Sequence, residues 1–97
     1  VTAKRKVEEK GDRLLDGKTA LVTGASRNLG PVIVRQLASA GAAIAINCLP
    51  SDEAEGRQTA QDLAASGYQT HVFPADVADR AQVEEMGASI IERFGHI

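Results

Sequence analysis

Eight residues, Thr23 to Gly30, read TGASRNLG and bring two glycines, two hydroxyls, a guanidinium and a carboxamide into one short turn. The turn falls between an apolar run and a helical pattern. At such a junction the free backbone N–H groups of the first helical turn, and the positive end of the helix, aim at one point. An anionic phosphate is the natural occupant of that point. Gly24 supplies the tight turn out of the strand, Gly30 lets the helix lie close to the sheet, and Ser26 adds a hydroxyl beside them. The competing reading is a plain structural turn, and the position between a buried strand and a properly started helix argues against it.

The elements that must hold this turn follow from the apolar pattern. TALVT, bounded by Gly17 and Gly24, is too short for a helix and reads as a buried strand. Leu29, Ile33 and Leu37 recur at helical spacing with Val34 and Ala38 beside them, Pro31 sits just inside the start, and Gly41 marks the stop. AAIAIN is a second strand. A polar-led helix then begins at Ser51 or Asp52, with Ala60, Leu63 and Ala64 on one side, and ends at Gly67. THVFPA is a third strand, and Asp79 with Gln82 forms a capping pair ahead of Val83, Met86, Ile90 and Phe94. That last helix runs to about Gly95. Alternating strands and helices predict parallel strands joined by crossovers, hence an α/β, doubly wound parallel sheet of the Rossmann type with spatial order third, second, first. The sequence holds the N-terminal βαβαβα half of that fold. Residues 14–97 form this half, and residues 1–13, which mix both charges without an apolar period, form a charged N-terminal extension.

Three separated pieces carry a family resemblance. LLDGKTALVTGASRNLG, then AAIAIN, then PADVAD resemble the N-terminal half of a short-chain dehydrogenase/reductase, and the match runs from Leu15 to Ile97. The family signature is Thr-Gly, three residues, Gly, one residue, Gly. Thr23, Gly24 and Gly30 fit it, while Asn28 stands where the family has its middle glycine. Asn is the residue other than glycine that best tolerates a left-handed backbone, so the turn survives at a cost on the order of 1 kcal/mol. In character the sequence is most similar to the 3-oxoacyl carrier-protein reductases and related alcohol or polyol dehydrogenases. The resemblance implies hydride transfer between a nicotinamide cofactor and a carbonyl or alcohol substrate. It places the dinucleotide on Gly24, Ser26, Arg27, Asn28, Leu29 and Gly30, has Asp76 accept from the adenine amino group, and lays Val77 against the ring. The competing role for Asp76 is a cap on a local backbone group.

NAD-binding versions of the fold carry an acidic residue at the end of the second strand, about 20 positions after the glycine turn. Here that place reads INCLPSD. Asn47 and Cys48 are uncharged, and Asp52 comes late enough to cap the next helix. With no acid to repel a 2′-phosphate, and with Arg27 in reach as a fixed cation, NADP is favoured over NAD. Asn47 and Ser51 are weaker candidates as neighbours of that phosphate.

The family's catalytic Ser, Tyr and Lys, and the Asn that assists them, fall beyond Ile97. Tyr68, the only tyrosine, has no lysine four residues on, so no catalytic residue is assigned and the chain alone is expected to be inactive. His71 reads as a packed or edge histidine, His96 has no metal-spaced partner, and no metal site is expected. Cys48, the single cysteine, reads as an apolar filler. A net charge of -2 without a basic stripe disfavours nucleic acid, and no apolar run is long enough to cross a bilayer. A soluble, cytoplasmic protein is the expectation. The first residue is Val, which reads as a processed product or a part of something longer. Mid-sheet in the doubly wound order, the first strand lacks a blunting charge or proline, so a C-terminal remainder, a complementary chain or a second copy is expected to pair with it. For the complete enzyme the resemblance implies a homo-oligomer. Two further readings stand beside this one: a stand-alone nucleotide-binding or regulatory module, and a structural fragment that binds nothing.

Overall fold

A computed structural model of the chain describes residues 14–25 and 28–97. The charged extension and the Ser26 and Arg27 assignments lie outside the described residues. The sheet has three strands, β1 (Thr19–Val22), β2 (Ala43–Cys48) and β3 (Thr70–Pro74), in the order β1-β2-β3. Both pairings are parallel, with Thr19 opposite Ala43 and Ile44 opposite Thr70. The expected α/β class and strand order are therefore observed. Between the strands run α1 (Gly30–Ser39) and α2 (Glu53–Ala65), and α3 (Arg80–Phe94) follows β3.

β2 is the centre, and from Ile44 to Cys48 every residue is buried. Alternation splits its side chains between two cores. Ile44, Ile46 and Cys48 pack with Val34, Ala38, Leu63 and Val72 under α1 and α2. Ala45 packs with Phe73, Met86 and Ile90 under α3. A central strand buried on both faces is the expected condition of a parallel sheet.

α1 meets the sheet along Gly30, Val34 and Ala38, which are buried, while Leu29 is 71% and Ile33 46% exposed. The larger residues that gave the helix its period thus face away from the sheet, and only Leu37 of that stripe packs against the core. The small residues win because they allow closer approach. A Cβ on Gly30 would stand 2.6 Å from the Ala25 Cα, inside van der Waals contact.

Asp52 is at the N-cap position of α2, at the end of a single 3₁₀ turn over Pro50–Asp52, but its side chain makes no capping hydrogen bond. That corrects the capping role expected of it. α2 buries Gly56, Thr59 and Leu63, with Ala64 exposed. Asp79 does cap α3, accepting from the Ala81 and Gln82 N–H groups at 3.0 and 3.3 Å. Gln82 returns an N–H to Asp79 at 3.1 Å, and its carbonyl oxygen accepts from the Asp76 N–H at 2.8 Å. A simple capping box would end on the capping residue. Here it reaches back into the loop after β3.

Candidate functional site

All three strands end on one side, and the residues that follow them enclose a cleft of about 290 Å³. Gly24 comes from the turn after β1, Asn47 and Cys48 from the end of β2, and Ala75 and Val77 from the loop after β3. Leu49 and Asp52 complete the wall. A hollow of about 340 Å³ lies between β3 and α3, reaching the end of β3 alone and drawing on neither β1 nor β2. In open α/β sheets, ligands bind in the crevice outside the carboxyl ends of the strands.

The glycine turn has the backbone its sequence requires. Gly24 has φ 64°, and nothing lies within 4 Å of where its Cβ would be. Open space beside the first glycine is what a close-lying phosphate or ribose needs. Asn28 has φ 61°, the left-handed conformation expected of it, and is the one residue besides glycine with positive φ among the described residues. Leu29 is exposed at the start of α1. Gly30 is buried behind the turn, closing it against Ala25.

Of the other expected residues, Val77 is 52% exposed on the cleft wall. Asp76 accepts from the Ala78 N–H at 2.9 Å, so its carboxylate does make the local cap named as the competing role. Ser51 is exposed on the 3₁₀ turn and is not part of the cleft wall. Asn47 does reach the site, but its side-chain nitrogen is directed into the protein. It donates to the carbonyls of Phe73 and Ala75 at 3.1 and 3.2 Å and is 2% exposed.

Sequence reasoning missed Cys48, Leu49, Asp52 and Ala75 as lining residues. The available signal was positional: each immediately follows or closes a strand, or stands on the turn after β2. Burial pushes the Cys48 thiol up from its ordinary pKa, and the carboxylates of Asp52, Glu53 and Glu55 push it further. These effects outweigh the Arg57 charge, which acts the other way, and favour the thiol over the thiolate. No cluster of three metal-binding side chains occurs among the described residues.

Tyr68 and the histidines lie elsewhere. Tyr68 precedes β3, at the opposite end of the sheet, and its hydroxyl is 3.3 Å from that of Ser39. His71 stacks edge-on against Phe73, and burial followed by the Arg93 and Arg57 charges lowers its pKa. His96 holds the Gly17 carbonyl at 2.8 Å.

A half-sheet of the doubly wound class, with its crevice at the carboxyl ends and a left-handed turn at the first helix, defines a nucleotide-binding type of fold. The family model described as short chain dehydrogenase matches residues 18–97, and the chain belongs to that family. It is 36% identical over 80 residues to a 3-oxoacyl-(acyl-carrier-protein) reductase of Staphylococcus aureus, covering 82% of this chain and 32% of the relative. Among solved structures, a blue fluorescent protein from a metagenomic library, in complex with NADPH, superposes with a TM-score of 0.78 at 40% identity, covering 84% of this chain and 34% of that one. A short chain dehydrogenase from Burkholderia cenocepacia, in complex with NADP, gives 0.76 at 36% identity, over 84% and 33%. The chain spans about a third of the length of the curated relatives it matches.

Proposed function

We propose that this chain is the NADP(H)-binding part of a short-chain dehydrogenase/reductase that moves a hydride between a nicotinamide cofactor and a carbonyl or alcohol substrate. The observation that carries this reading is the open cleft at the strand ends, flanked by the left-handed Gly24 and Asn28 turn. The NADPH and NADP complexes of the two similar structures support it. In this reading Gly24 to Gly30 hold the pyrophosphate on backbone N–H groups and the start of α1, Arg27 meets the 2′-phosphate, and Val77 lies against the adenine. The bound nicotinamide supplies the hydride chemistry. This chain's residues bind and orient the adenosine end, and the groups that move the proton belong to the remainder of the enzyme.

β1 forms an outer edge of the described sheet, and Leu29, just ahead of α1, and Val32 and Ile33 within it are exposed. That favours an arrangement in which a C-terminal segment or a complementary chain completes the sheet over a self-contained module.

Fluorescence titration with NADPH and with NADH tests the cofactor assignment. Saturable binding with NADPH tighter is expected. Equal affinities would remove the 2′-phosphate preference, and binding of neither would overturn the reading.

A further inference from the structure

Asn47 joins three parts of the cleft. Its backbone carbonyl accepts from the Ala25 N–H of the glycine turn at 3.1 Å. Its side-chain nitrogen donates to Phe73 and Ala75, the end of β3 and the first residue of the loop beyond it. Next to it, the Cys48 carbonyl accepts from the Ala75 N–H at 2.9 Å, so Ala75 is held from both its N–H and its C=O. Ala75 leads directly to Asp76 and Val77, and the Asp76 N–H is held in turn by Gln82 of α3. Both walls of the cleft are therefore tied to one residue, the glycine turn through its backbone carbonyl and the loop after β3 through its buried carboxamide.

We propose that Asn47 is a positioning residue that sets the cleft before nucleotide arrives, fixing the loop Ala75–Val77 against the glycine turn, and that it makes no contact with the 2′ group of the ribose. This rests on the nucleotide reading above for its consequence in binding, but the lock itself is a property of the chain alone. The chemistry requires a donor. The Phe73 and Ala75 carbonyl oxygens, with that of Cys48 farther off at 3.5 Å, converge on the side-chain nitrogen, and an amide nitrogen offers two N–H bonds to meet the nearer two. A carboxylate in the same place would face both carbonyls as a third acceptor, and its charge would be buried without a partner. An acid created at this position would therefore be directed at the Phe73 and Ala75 carbonyls rather than freely into the cleft.

The experiment compares the full chain with Asn47→Asp and Asn47→Ala in two measurements. The first is amide hydrogen exchange by NMR without nucleotide. Faster exchange at Ala75 and Asp76 is expected in both variants, with Ile44 unchanged and with Ala25, which bonds the retained Asn47 backbone carbonyl, unchanged as well. The second is titration with NADPH and with NADH. Asn47→Asp should weaken both by about tenfold, the scale of losing hydrogen bonds to buried carbonyls, and leave their ratio unchanged. Asn47→Ala should do the same to a smaller degree, and it serves if the aspartate variant does not fold. A severalfold change in the NADPH to NADH ratio would show direct contact with the 2′ group and overturn the proposal. Unchanged exchange at Ala75 in a folded variant would also overturn it. If the parent chain binds neither nucleotide, the functional reading falls, and the exchange comparison alone upholds or overturns the lock.

Discussion

At Asn28 a side chain occupies the left-handed region, with φ 61°, in the turn that faces the cleft. Asparagine bears this conformation because its short polar side chain bonds locally, whereas alanine meets the full steric cost of roughly 1–2 kcal/mol. Asn28→Ala should lower stability by about 1 kcal/mol in urea unfolding, while Asn28→Gly should stay within about 0.5 kcal/mol of the parent. Equal loss in both would mean that the carboxamide, not the backbone angle, matters. The left-handed angle was readable from residue type and spacing. The direction of the Asn47 side chain was not. On a strand buried on both faces, polarity no longer marks which side meets solvent or ligand, and the pairing to Phe73 and Ala75 depends on a contact 26 to 28 residues away.

Among the elements, α1 best separates what pattern tells from what packing decides. Its existence, its Pro31 start and its end near Gly41 followed from local chemistry. Its buried face did not, because two stripes of apolar residues lie side by side on it and periodicity cannot choose between them. Contact does: the Gly30 line approaches within reach of the Ala25 backbone, and the Leu29 and Ile33 stripe is left outside. Gly30→Ala should therefore cost about 2 kcal/mol, since the methyl would force the backbone of Ala25 to move rather than a flexible side chain. Thermal unfolding measures this, and a neutral or stabilising effect, as helix propensity alone would give, would contradict the close approach. Asp52 shows the same limit in a smaller element. Its position before α2 was correct for a cap, yet the 3₁₀ turn of Pro50–Asp52 leaves its side chain with no capping bond.

Seen as a whole molecule, the described chain has a sheet bounded by β1 on one edge and β3 on the other. β3 ends on Pro74, which has no N–H to offer a neighbouring strand. β1 has no such guard in TALV, and exposed apolar residues on α1 add to what a partner could cover. The chain by itself is expected to self-associate, its scattering mass rising with concentration, and Ile33→Lys should reduce the effect. A clean monomer across the concentration range would count against an unfinished edge.

The His96 bond to the Gly17 carbonyl carries one more implication. It ties residues 79 apart in sequence, at the end of the sheet opposite the cleft, where Leu15 is also held by the Ala40 carbonyl. Gly17, ahead of β1, and His96, after α3, are thus held together, so the described span is closed on itself at this end. Removing the tie with His96→Ala should let the end of α3 loosen from the start of β1 while the cleft, at the other end of the strands, keeps its shape.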